Sequence, residues 1–199
     1  MGKEELRLRA IWQDQSGLKA ALAEKGFYGA FEFLFRDTEF RIRSKPKEFN
    51  NIYTSVVLDA KIQSEIHTPT EAIKRHGISP DYAIDNTETE KTLYVEVKRQ
   101  DGWIEGGKRS DGRGNAHERS CKYFTPGLLE VMRKHGRIAP PALPFWTVFL
   151  GDITRDPCRV REITLWYKGF DAHMFLWRNM NDAAPLLLHF DQKLKYLLT

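Results

Sequence analysis

The sequence predicts an α/β protein built on a central mixed β-sheet flanked by helices, and three observations carry that prediction. Residues 79–100 (SPDYAIDNTETEKTLYVEVKRQ) alternate in the manner of a β-hairpin, residues 144–150 (PFWTVFL) are apolar nearly throughout, and apolar residues at helical spacing occur towards both ends of the chain. At 199 residues, with 41% hydrophobic and 12% aromatic content, the chain has the size and apolar supply for one domain spanning 1–199. No run approaches the ~20 apolar residues of a bilayer span, and the opening MGKEELRLRA places charges where a secretory signal needs an apolar stretch. Two cysteines, Cys121 and Cys158, exclude a disulfide scaffold and fit a reducing compartment. A cytoplasmic protein of a prokaryotic cell, with no membrane partner, is the expectation. The net charge of +4 permits a nucleic-acid partner without requiring one.

Taken in order, Leu6, Leu8, Ile11, Trp12, Leu18, Leu22, Phe27, Phe31 and Leu34 give the first third helical apolar faces, interrupted near Gly17 and Gly26. Residues 40–47 (FRIRSKPK) gather Arg41, Arg43, Lys45 and Lys47, as a solvated strand edge or as an arm on a nucleic-acid backbone. A helix is expected over about 60–76, ending at Gly77, and a β region from Ile78 to about Arg99. Five of the 14 glycines then fall between Gly102 and Gly114, which marks a segment too flexible for the core. Strand 144–150 is expected at the centre of the sheet, covered on both faces. Asp156-Pro157 reads as a helix N-cap followed by proline in the first turn, and a C-terminal helix starts in the same way after Asp182 and Pro185.

The hairpin brings chemistry together. If Asn86 and Lys91 close a four-residue loop, paired positions sum to 177, so Tyr82 faces Val95 and Ile84 faces Leu93, with Val97 alongside, on one apolar face. The opposite face carries Asp81 across from Glu96, with Lys98 pointing the same way. Side chains opposed in this way have Cβ atoms ~4.5–5.5 Å apart, and two carboxylates at that distance call for a cation between them. Hard oxygen donors without His or Cys suit Mg²⁺. A water activated at such a site, with Lys98 assisting its deprotonation or neutralising charge on phosphorus, attacks a phosphodiester. An E-x-K tripeptide alone is expected about once by chance in a chain of this length. The added Pro80-Asp81 one strand upstream, in register, is what makes the pattern informative.

At Pro80, Asp81, Glu96, Val97 and Lys98 the chain resembles the PD-(D/E)xK superfamily of metal-dependent nucleases. Residues 112–120, GRGNAHERS, further resemble the recognition segment of type II restriction endonucleases of the EcoRI/MunI-like group, and KRQDGW (98–103) with GDITRDP and RVREIT (151–164) resemble its MunI-like branch. The resemblance implies a restriction-endonuclease-like fold. It implies Asp81, Glu96 and Lys98 as catalytic residues, with Mg²⁺ held by Asp81, Glu96 and the main-chain carbonyl of Val97. It implies DNA binding by Arg113, Gly114, Asn115, Ala116, His117, Glu118 and Arg119. Within that set, Gly114 to Ala116 align with the chain that contacts inner AATT base pairs. Glu118 and Arg119 align with side chains that bond adenines and brace two subunits, and Arg113 with a reader of an outer C·G pair. His117, by its residue type, is more often a packing residue than a base reader. Asn and Arg independently suit the major-groove edges of adenine and guanine. Arg155, Arg159 and Arg161 are either phosphate contacts or solvated charges.

The function so implied is that of a homodimeric endonuclease acting on double-stranded DNA at CAATTG, cutting after the first base to leave 5′ overhangs, with a DNA methyltransferase encoded alongside. Two rivals differ in one feature each. A PD-(D/E)xK nuclease of repair or recombination lacks a recognition segment such as GNAHERS, and a DNA-binding module that has lost catalysis lacks the intact Asp81, Glu96 and Lys98.

Overall fold

In the computed structural model, residues 26–100, 103–104, 108–109 and 117–199 are described. One five-stranded sheet is built from β1 (Phe40–Ser44), β2 (Tyr82–Asn86), β3 (Thr92–Arg99), β6 (Phe145–Leu150) and β7 (Met174–Trp177), in that spatial order. The first three strands pair antiparallel, and β3–β6 and β6–β7 pair parallel, so the sheet is mixed. Two short strands, β4 (Trp103–Ile104) and β5 (Lys108–Arg109), pair with each other inside the glycine-rich stretch. The rest of that stretch, and the helical faces expected before Gly26, lie outside the described residues.

The alternation of the strands sorts side chains onto two covered faces. Ile42, Ile84, Leu93, Val95 and Val148 point to a face packed by the helix α1 (residues 26–34) and by the C-terminal helix, where Phe27, Ala30 and Phe31 recur at helical spacing with Phe190 opposite. Ala83, Tyr94, Phe145 and Phe149 point to the other face, against Leu128 and Met132 of α3 (Pro126–Gly136) and Ile163 of α4 (Pro157–Trp166). The crossovers β3 to β6 and β6 to β7 run through α3 and α4. Proline stands in the first turn of each helix, and Asp156 caps α4 by accepting from the N–H groups of Cys158 and Arg159 at 2.9 and 3.2 Å. The C-terminal helix α5 (Ala184–Lys193) also has proline in its first turn, and Asp182 accepts from the Ala184 N–H at 3.1 Å.

Two expectations are corrected. Strand 145–150 is buried along its whole length, but the middle of the sheet is β3, which has β2 on one side and β6 on the other. The helix expected over 60–76 is α2, only Ala60–Glu65, capped by Asp59, and it buries no residue. Pro69 explains the shortening, since it disfavours helical backbone at Thr68, and no apolar face is packed to override it. Residues 54–76 instead make an exposed excursion whose ends are tied by Tyr53 N–H to His76 O at 3.0 Å and Ile78 N–H to Phe49 O at 3.1 Å. Gly77 lies so close to this closure that a Cβ would sit 1.9 Å from the Phe49 carbonyl oxygen, so only glycine fits. The chain therefore enters Pro80-Asp81 from a fixed point.

Candidate active site and recognition segment

The β2–β3 register is the one that the sequence predicts: Tyr82 opposite Val95, Ala83 opposite Tyr94, Ile84 opposite Leu93 and Asp85 opposite Thr92, with the loop closed by Asn86 N–H to Lys91 O at 2.9 Å. Asp81, one residue before β2, accepts from the Val97 N–H through Oδ2 at 2.9 Å, which places it beside Glu96. The Lys98 ammonium donates to Glu96 Oε1. Asp81, Glu96 and Lys98 are thus brought together. The face that carries them is not an open polar surface, however: Glu96 is 6% exposed, enclosed by the elements that cover the second core.

Proline at position 80 has a physical consequence. Continued by two residues, the register sets Pro80 opposite Val97, and the N–H and C=O of one strand residue point to the same neighbour. The Val97 N–H goes to Asp81, while Pro80 has no N–H to offer the Val97 carbonyl. The ladder therefore leaves that carbonyl without its usual donor, on the Asp81 side of the strand.

Two participants escaped the sequence reading. Lys45, just beyond β1, donates from Nζ to Asp81 Oδ1 at 2.5 Å, and this hydrogen bond raises its pKa above the ordinary lysine value. Its backbone sits at φ 47, an uncommon conformation for a non-glycine residue. Tyr123 is fully buried and donates its hydroxyl to Glu96 Oε2 at 2.9 Å. Burial, then the Glu96 charge, push its pKa far above the ordinary tyrosine value, so the phenol remains a neutral donor. No short-range signal finds Lys45, because the β1–β2 pairing joins residues about forty apart. For Tyr123 a signal existed in the three-residue spacing of His117, Ser120 and Tyr123.

Of the implied DNA contacts, Arg113, Gly114, Asn115 and Ala116 lie outside the described residues. Glu118 and Arg119 are exposed, at the start of a 3-10 helix (Glu118–Phe124) that leads into the α-helix α3 at Pro126. His117 is buried, as its residue type suggests. It is 0% exposed, stacked on Trp166 at 5.2 Å with its Nε2 2.9 Å from Glu162 Oε2, so it ties the segment to α4. In the second basic cluster, Arg159 pairs with Glu162 at 2.8 Å and Arg161 donates to the Pro157 carbonyl at 2.6 Å, whereas Arg155 is exposed.

The donor set fits a hard divalent cation. Among the described residues no group of three or more His, Cys, Asp or Glu side chains is arranged for a metal, so the candidate site has two carboxylates, as Mg²⁺ sites completed by water and phosphate oxygens do.

The family model for the type II restriction enzyme MunI matches residues 1–199. The chain is also 51% identical to the type II restriction enzyme MunI of a Mycoplasma species over 201 residues, covering 100% of both sequences. The chain belongs to the MunI family of type II restriction enzymes. A crystal structure of MunI restriction endonuclease in complex with cognate DNA superposes with a TM-score of 0.85 at 50% identity, over 94% of this chain and 97% of that one. The MunI-family fold is thus the mixed sheet with flanking helices described above. No described helix is long and apolar enough to cross a membrane.

Proposed function

We propose that this chain hydrolyses double-stranded DNA at the palindrome CAATTG in an Mg²⁺-dependent reaction, cutting after the first base of each strand to leave AATT overhangs with 5′-phosphates. The observation that carries the reading is the convergence of Asp81, Glu96 and Lys98 on one sheet face in a chain of this family. Asp81 and Glu96 would hold the cation through their carboxylates, and the Val97 carbonyl is the third oxygen available beside them. The cation, when bound, supplies Lewis-acid charge to the phosphodiester undergoing attack. Lys98, beside Glu96, either neutralises charge developing on the phosphorus or assists deprotonation of the attacking water. The enclosed surroundings of Glu96 exclude bulk water and strengthen those interactions.

Specificity is assigned to Arg113, Gly114, Asn115, Ala116, Glu118 and Arg119, of which Glu118 and Arg119 are exposed. A palindromic site is matched by a homodimer in which each subunit cuts one strand, and a methyltransferase protecting the same sequence is the expected genetic neighbour. The relative whose structure is matched was solved with its cognate DNA, which supports DNA as the partner here. The test is digestion of plasmid carrying one CAATTG, with Mg²⁺ or with EDTA, followed by sequencing of the ends. Cleavage at that site alone, with four-base overhangs and only with Mg²⁺, is expected. Cleavage without sequence preference, or undiminished cleavage in EDTA, overturns the reading.

A further inference from the structure

The 3-10 helix that follows the recognition segment has two faces with different duties. A 3-10 helix has three residues per turn, so positions three apart eclipse. His117, Ser120 and Tyr123 accordingly share one side and are all buried, while Glu118, Arg119 and Lys122 are exposed. Two of the three reach other elements, and the third ties the turn to itself. His117 stacks on Trp166 and meets Glu162 of α4; Ser120 donates to the His117 carbonyl at 2.7 Å; Tyr123 donates to Glu96 at 2.9 Å. The neighbouring Tyr167 hydroxyl bonds Thr147, and Thr147 stands beside Glu96 in the β3–β6 register.

We infer that Tyr123 is a positioning residue that makes the placement of Glu96 depend on the seating of the element that reads DNA. This rests on the reading of Glu118 and Arg119 as base-facing residues. One seven-residue helix carries those side chains outside and the Glu96 contact inside, so a displacement at its first turn moves the hydroxyl that holds Oε2. Lys98 approaches the other oxygen, so Oε1 and Oε2 have different partners, and only the Tyr123 bond reports on the recognition element. With a matching duplex the element seats and Glu96 is held. With a mismatched one the element shifts and Glu96 loses its donor. Discrimination thereby appears in the chemical step as well as in binding.

The test is Tyr123→Phe, which removes the hydroxyl and keeps the ring against Phe145. Affinity for a cognate duplex in Ca²⁺ should stay within about two-fold of wild type, because no DNA contact is lost. Single-turnover cleavage of the cognate site should fall about ten-fold or more, the size of a lost hydrogen bond to a charged group. Cleavage of duplexes with one base changed should fall much less, so the ratio of the two rates contracts. Tyr167→Phe, which removes a neighbouring buried hydroxyl that bonds Thr147 and not Glu96, is the control and should keep the wild-type ratio. A wild-type ratio in Tyr123→Phe overturns the inference, as does an equal contraction in Tyr167→Phe. If the wild-type enzyme itself shows no ratio to contract, the reading of the recognition segment fails instead, and the two failures are distinguishable.

Discussion

Two carboxylate clusters lie on the same face of β2 and β3, and they are built differently. At the loop end, Asp85 accepts four hydrogen bonds: from Arg43 Nε at 2.6 Å and Nη2 at 3.0 Å, from Arg41 Nε at 2.9 Å and from Thr92 Oγ1 at 2.7 Å. Burial pushes its carboxyl up, but the bonds from Arg43, Thr92 and Arg41 outweigh that and hold it below the usual carboxylate range. At the other end, Asp81 is met by Lys45 and one backbone N–H, and Glu96 by Lys98 and Tyr123. A guanidinium is a rigid fork that keeps its charge, whereas an ammonium is a point charge on a flexible stem. Asp85 is therefore closed to any further ligand, and the Asp81–Glu96 pair retains oxygen lone pairs that a cation can use. Acidic residues on one strand pair become a site or a girder according to how completely their oxygens are occupied.

The sharpest way to break this contrast is to neutralise each end in turn. Glu96→Gln or Asp81→Asn should lower single-turnover cleavage of a CAATTG duplex about a thousand-fold or more, since each removes a charge the cation needs. Near wild-type cleavage by either would show the open cluster to be structural. Asp85→Asn should act on stability instead, costing about 1–3 kcal/mol in urea unfolding, because the bonds to Asp85 are weakened while water still reaches Arg41 and Arg43. Its pH dependence has a definite sign. A carboxyl held low in the folded state binds protons more readily when unfolded, so its contribution is complete above about pH 4 and is lost as pH falls through the lower folded value. Asp85→Asn should therefore flatten the acid limb of the stability profile; an unchanged limb would assign that loss elsewhere.

Smaller effects sharpen the open end. Lys45→Met removes a positive charge from Asp81 and should lower the Mg²⁺ concentration for half-maximal cleavage by up to about five-fold, within the range of a partly exposed ion pair. A raised Mg²⁺ requirement would instead make Lys45 an aid to the metal. His117→Phe keeps a ring against Trp166 and loses only the Glu162 bond, so it should cost about 1 kcal/mol or less and leave base preference unchanged. A changed preference among single-base variants of the site would make His117 one of the readers.

What was legible in the sequence was local. The hairpin register follows from alternation plus a short loop, so Asp81, Glu96 and Lys98 were placed from spacing alone, and the helix starts at Pro157 and Pro185 follow from proline chemistry. Long-range pairing was not legible. Nothing local to FRIRSKPK says that Arg43 closes on Asp85 and Lys45 on Asp81, since those contacts depend on where the chain returns after the 54–76 excursion. The helix expected to reach residue 76 failed for a related reason: periodicity promises a face, but only tertiary packing keeps it. Burial of the polar face was missed because alternation distinguishes two sides of a strand without saying that α3 and α4 cover the second.

The three-residue period of the 118–124 element also bears on how such an enzyme can change over generations. Substitutions at Glu118, Arg119 or Lys122 alter what faces outward without touching the buried trio, so the outer side can change one residue at a time. A deletion or insertion of one residue between 118 and 122 turns everything beyond it by about a third of a turn and carries Tyr123 away from Glu96. Natural variation in this stretch is accordingly expected as exchanges of side chain at constant length.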